Sequence, residues 1–296
     1  MDIMGFPNKE LKYEDSVLGK CTIAAGGVGR NIAENLARLS INVKFISAFG
    51  NDFFSKELVR ELEVIGIDIS HSLFTKGKAA THLALMNAQN DMTYGIASLD
   101  IIQNLTISFL QKQKTIFSDA KFIVIDANIP LESMVWMSSE FKTTPIYVDV
   151  VSTHFAKQLQ PIISKFHTIK TNRIEAEIIT GIKLQAIDDY KKTALYLMNK
   201  GVKRIFITAG KEGAFYADET SDGWIPSLVV KVQNTTGAGD AFMAGVVYAS
   251  VGKKCIKICA KTGTKAAAIA LESEKVVNMN MSEDNLNKIT WKSTSI

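Results

Sequence analysis

Cysteine is scarce in this sequence, with only three in 296 residues, an odd number that makes no disulfide framework in so long a chain. Cys255 and Cys259 lie one helical turn apart with no further Cys or His beside them, the pattern of buried thiols rather than of metal ligands. No apolar run reaches the ~18 residues of a membrane span, and the start of the chain lacks the charged-then-apolar form of a signal peptide. A cytoplasmic, reducing setting is therefore expected. An excess of one charge is also lacking: 34 Lys and Arg against 30 Asp and Glu leave a net +4. No basic run interleaves with aromatics, so neither nucleic acid nor a membrane is an expected partner. Internal repeats and low-complexity linkers are absent as well, and residues 1–296 read as a single domain with a sizeable core.

From about Val43 onward, short β-branched runs alternate with helical patterns. The runs Val43–Ser47, Phe122–Asp126, Ile146–Val150, His167–Lys170 and Arg204–Thr208 predict strands. Between them, Asp52–Ile65, Leu131–Phe141, Thr153–Lys165 and Ile187–Lys200 predict helices, and two apolar helices follow at Ala238–Ser250 and Lys254–Leu271. Alternation of this kind builds right-handed βαβ units, hence an α/β fold with a mostly parallel sheet flanked by helices. Residues 67–97 break the rhythm with three strand-like pieces and no helix: Ile69–Phe74, Ala80–Asn87 and Thr93–Ala97. They predict a small antiparallel β lid, with 88–92 as a polar hairpin turn; an edge hairpin of the main sheet is the plainer alternative.

Two glycine-rich segments carry the chemistry. Asn234-Thr-Thr-Gly-Ala-Gly-Asp240 follows the strand-like Leu228–Val232 and precedes an apolar helix. Glycines at such a turn let backbone N–H groups converge at a helix N-terminus, which suits an anion such as a phosphoryl group. Asp240, in the first turn, could take a proton from an attacking hydroxyl; a tight turn with a capping carboxylate explains the same residues. The second segment is Ala25-Gly-Gly-Val-Gly-Arg-Asn31, leading into a helix with Ile32, Leu36 and Leu39 on one face. Gly26 and Gly27 leave room for a ligand, and Asn31 offers a donor and an acceptor to vicinal hydroxyls. Glycines that serve only packing are the alternative here.

Together, in this order and separation, the two segments resemble the signature regions of the PfkB, or ribokinase-like, carbohydrate kinases. Thr171-Asn-Arg-Ile-Glu175 resembles that family's Asn-x-x-Glu motif, and Ile207-Thr-Ala-Gly-Lys-Glu-Gly213 resembles its strand-turn segment beside the nucleotide. The resemblance covers nearly the whole chain. It implies a ribokinase-like fold and transfer of the γ-phosphate of ATP to a sugar or nucleoside hydroxyl. By resemblance, Asp240 is the general base and the N–H groups of Gly237, Ala238 and Gly239 form the anion hole. Asn172 and Glu175 organise Mg²⁺ through water, while Thr208, Gly210 and Gly213 border ATP. Asp2, Gly26, Gly27 and Asn31 match the positions that hold the acceptor. In the lid, strand alternation sets Thr81 with Leu83 on the face expected to meet it, with His82 on the opposite face. Within the family the wording around Gly26 and Asp149 is most similar to pseudouridine kinases, which implies pseudouridine as acceptor; a ribokinase- or fructokinase-type sugar kinase is the nearest alternative. The resemblance leaves a homodimer through the lid open, and dependence on K⁺ as well, since Asn234 stands where many relatives have Asp.

One departure is large. Relatives open with a β-strand followed by Asn-x-Asp, whereas Asp2 here follows Met1 directly. Either the chain is a shortened version or another segment fills the place of that strand. A catalytically silent, ligand-sensing relative would tolerate such a loss. A Rossmann oxidoreductase is disfavoured, because no Gly-x-Gly-x-x-Gly follows a first strand with an acidic residue ~20 positions on.

Overall fold

The computed structural model describes residues 1–11, 14–87 and 92–291. In chain order the elements begin with β1 (Asp2–Pro7), β2 (Gly19–Ala24), α1 (Val28–Arg38), β3 (Ala48–Phe49), α2 (Phe53–Ile65), β4 (Leu73–Phe74), β5 (Thr81–Met86) and β6 (Met92–Ser98). Next come α3 (Ile107–Gln111), α4 (Lys114–Asp119), β7 (Ile123–Asp126), α5 (Leu131–Glu140), β8 (Ile146–Asp149), α6 (Thr153–Leu159), β9 (Thr168–Asn172) and α7 (Arg173–Thr180). The rest are α8 (Ile187–Lys200), β10 (Arg204–Thr208), β11 (Gly213–Asp218), β12 (Asp222–Pro226), α9 (Ala238–Val251), α10 (Ile256–Leu271) and α11 (Glu283–Lys288).

The main sheet has six strands in the order β12-β11-β10-β9-β8-β7. Strands β7 to β10 run parallel, and β11 and β12 add antiparallel at one edge. Helices cover both faces: Ile125, Val148, Ile169 and Ile207 pack in one buried cluster, Tyr147 and Phe206 in another with α9. Apolar residues on both faces of the central strands are what a parallel sheet between two helical layers requires. Local chemistry sets the helix ends. Asp52 caps α2 by accepting from the Ser55 N–H at 3.0 Å, and Asn172 and Glu175 cap α7 reciprocally. Pro161, which has no N–H to donate, ends α6 at Leu159; the predicted helix 153–165 continues only as a 3₁₀ turn.

A second, four-stranded sheet has the order β2-β1-β5-β6. Its pairs are antiparallel except β1 with β5. The hairpin β5–β6 was legible in the sequence, although its turn at 88–91 lies outside the described residues. Strands β1 and β2 were not, so half of this sheet comes from residues 2–24 rather than from 67–97. The predicted strand Ile69–Phe74 shrinks to β4, which pairs with β3 and belongs to neither larger sheet. Leu228–Val232 forms no strand: Pro226 closes β12, and Val229 beyond it is 97% exposed. Cys259 is buried, but Cys255 and Cys21 are exposed.

Val43–Ser47 is the most informative difference. One side of this segment is bonded, through Phe45 N–H to Asp68 O at 2.8 Å and Leu73 N–H to Ser47 O at 2.8 Å, yet its only ladder contact is a bridge at Lys44. Its other side faces a cavity of about 760 Å³ that separates it from β7 and is walled by Ile32, Leu36, Val43, Ile46 and Val124. Among the described strands nothing pairs with the outer edge of β7. An extended segment bonded on one side only does not complete a ladder. No described segment occupies the space between Val43–Ser47 and β7. Among the described residues no helix is long and apolar enough to cross a membrane.

Candidate active site

The parallel strands end on one edge of the sheet, where ligands gather in open α/β folds. Asp126 ends β7, Asp149 ends β8 and Asn172 ends β9. Facing them is the head of α9, whose cap Gly237 has φ 84°. Only glycine suits this position, because a Cβ there would also strike the Val276 carbonyl. The first turn of α9 thus presents its N–H groups at the positive end of a helix dipole.

Asp240 lies in that turn, 8% exposed. Its Oδ2 accepts from Asn31 Nδ2 at 2.8 Å. Burial first, then the charge of Asp149, push its carboxyl up to about 7, against the pull of Lys170 and Asn31. Asn31 therefore serves the carboxylate directly, with its Oδ1 taken by Arg30 Nη1 at 3.2 Å. Asp149 Oδ2 pairs with Lys170 Nζ at 2.9 Å, both deeply buried. Just beyond Asp149, Val151 has φ 70° and the Ser152 N–H bonds to Val150 O at 2.8 Å. A β-branched residue in this γ-turn is backbone strain, located beside the site.

Glu175 is 3% exposed and held by both donors of Asn172, N–H to Oε2 at 2.9 Å and Nδ2 to Oε1 at 2.7 Å. Burial raises its pKa, against the pull of Lys170. A buried, oriented carboxylate fits the role of holding waters of a phosphate-bound Mg²⁺, which needs no protein cage. Among the described residues no cluster of three His, Cys, Asp or Glu could cage a metal. Thr208 bonds to the Thr171 carbonyl at 3.3 Å, and Gly210 opens the 3₁₀ turn between β10 and β11. Gly213 has φ 120° and lies against the Ile225 and Pro226 backbone, a structural reason for glycine there.

Of the residues expected at the acceptor, Asp2, Gly26, Gly27 and Thr81 line the same 760 Å³ cavity, as does His82; Asp240 does not line it. The space beside Gly26 is filled by the Asp2 carboxyl rather than left open. Asp2 opposes His82 in the β1–β5 pair, whereas Leu83 opposes Ile3. His82 therefore shares a face with Asp2, and Leu83 lies with Ile3 on the other, exposed face. Thr81 turns its hydroxyl to the Ala79 carbonyl at 3.0 Å. Sequence reasoning missed Lys170 and Asp126. The signal for Lys170 was a charge inside a buried parallel strand, two residues before Asn172.

The sequence pattern of the pfkB family of carbohydrate kinases matches residues 2–283. The chain belongs to that family. It is an ATP-dependent carbohydrate or nucleoside kinase. It is 31% identical to the pseudouridine kinase of Escherichia coli over 97% of this chain and 92% of that one. With the guanosine-inosine kinase of Exiguobacterium acetylicum it shares 26% identity over 92% of each chain. The crystal structure of ribokinase from Thermotoga maritima superposes with a TM-score of 0.85 at 19% identity, over 97% of this chain and 94% of that one. The fold is ribokinase-like.

Proposed function

We propose that this kinase phosphorylates pseudouridine to pseudouridine 5′-phosphate, with Asp240 as general base. One observation carries the chemistry: a buried carboxylate with a pKa near 7 stands at the head of a glycine turn. A base with that pKa is half-ionised at working pH and close in basicity to what proton transfer needs. The acceptor oxygen gives its proton to Asp240 as its bond to the γ-phosphorus forms, and the bond to the bridging oxygen breaks to release ADP. The N–H groups of Gly237, Ala238 and Gly239 hold the charge that develops. Glu175 and Asn172 would hold Mg²⁺ through water, and the ion would neutralise phosphate charge; Thr208 and Gly210 border the nucleotide. Asp2, Gly27 and His82 bind the acceptor, with Asn31 keeping Asp240 ionised.

Nucleoside specificity is supported by the two named relatives, both nucleoside kinases by name. The test is ADP release from Mg-ATP with pseudouridine, uridine, adenosine, ribose and fructose in parallel. A clear preference for ribose or fructose would move the protein to the sugar kinases. Turnover with none of them would favour a ligand-sensing relative. We also infer a homodimer through the small sheet, whose outer face carries the row Ile23, Ile3, Leu83 and Ile96, with Ile23 56% and Ile96 67% exposed. Ile96→Lys should convert a sedimenting dimer to monomer.

A further inference from the structure

We propose that Lys170 is a further catalytic residue, whose ammonium group holds an oxygen of the phosphoryl group in transfer. The inference rests on reading the Gly237–Gly239 turn as the phosphoryl cradle. Lys170 lies within β9, between two parallel neighbours, and is 7% exposed. A lysine there is costly, and a buried ion pair stabilises a fold less than apolar packing would. Stability alone does not account for it.

Its position does. A Cβ added to Gly239 would lie 2.8 Å from Lys170 Nζ. The ammonium thus fills the space a side chain at 239 would occupy, against the first turn of α9. An ammonium has three N–H donors, and among the described residues only Asp149 accepts one, at 2.9 Å. The other donors remain for a group in front of the turn. The surrounding charge supplies the reason. Asp149, Asp240 and Glu175 all bear on Lys170 electrostatically, and three carboxylates would repel an incoming phosphoryl group. Lys170 is the buried cation among them. During transfer it gains and loses no proton: the acceptor proton goes to Asp240 and the bond electrons leave with ADP.

Lys170→Met would strand a buried Asp149, so the test compares Asp149→Asn with the double variant Lys170→Met/Asp149→Asn. Asp149→Asn keeps the ammonium and should hold kcat within about tenfold. The double variant should fall roughly 10²–10³-fold below it, the loss seen when one oxyanion donor is removed, with acceptor KM little changed. It should also lose affinity for ADP with aluminium fluoride, which mimics the group in flight, and keep affinity for ADP alone. Equal losses in the two variants would overturn the proposal. So would a slow double variant that binds the aluminium fluoride complex as Asp149→Asn does, since the lysine would then act only through the charge of Asp240. Asp240→Asn separates the two readings. If it is inactive while the double variant is not, Lys170 alone is dismissed; if Asp240→Asn turns over normally, the cradle reading fails and Lys170 with it.

Discussion

The side-chain amide of Asn31 donates to Asp240 across 2.8 Å, joining α1 to α9 over 209 residues of sequence. The two glycine-rich segments are thereby one site, each contributing one end of a single hydrogen bond. The bond favours the ionised carboxylate, while burial and Asp149 oppose it.

Asp240→Asn keeps size and the Asn31 contact but removes the base. Turnover should fall roughly 10²–10⁴-fold with substrate binding little affected. In the wild type, kcat/KM should drop as pH falls below about 7, where Asp240 becomes protonated. Asn31→Leu should move that limb to higher pH, because it removes a bond to the charged form. A limb that stays in place would remove Asn31 from this role.

The same shift makes a stability prediction. The folded pKa of Asp240, about 7, lies above its ordinary 3.8. Its stabilising contribution is therefore present below pH ~4 and lost as pH rises through 7. Asp240→Asn should melt several degrees above wild type at pH 8, and the gain should vanish toward pH 4. Parallel melting curves across pH check this; a gain independent of pH would contradict it.

Glu175→Gln should raise the Mg²⁺ concentration needed for half-maximal rate, and Asp240→Asn should not. It also loses one of the two bonds from Asn172, costing about 1 kcal/mol. Identical Mg²⁺ titrations would leave Glu175 as a helix cap only.

Water at ~55 M competes with the acceptor, so the site should close over the sugar before transfer. His82, opposite Asp2 on β5, should matter more than Leu83, 36% exposed on the other face. His82→Ala should raise the acceptor KM and the ratio of ATP hydrolysed to product formed. Leu83→Ser should change neither. No effect from either would mean that the sheet does not act as a lid.

The cavity between β7 and Val43–Ser47 should accept a strand. An apolar strand fused ahead of Met1, whose amino group bonds to Ala80 O at 2.7 Å and which lines the cavity, should raise Tm by roughly 5 °C or more. The same extension with alternate lysines should not. Equal melting of both would leave the cavity as a ligand space only.

Much was determined by the sequence itself. The alternation of β-branched runs with helical faces decides a parallel α/β sheet, because each strand must be apolar on both sides and each helix on one. Helix ends such as Asp52 and Asn172 are local chemistry, legible in a few residues. The glycine turn before Asp240 is local too. What only the tertiary structure decided depends on partners distant in sequence. Val43–Ser47 has the composition of a strand and lacks the neighbour that would make it one. Strands β1 and β2 are short and weakly patterned, and form because β5 completes their ladder. The face that His82 of β5 shares with Asp2 was set by the register of that strand against β1. The pKa of Asp240 comes from burial and from charges on β8 and β9, and Lys170 reaches the space beside Gly239 from a strand distant in sequence. A carboxylate's environment is three-dimensional, so no spacing along the chain encodes it.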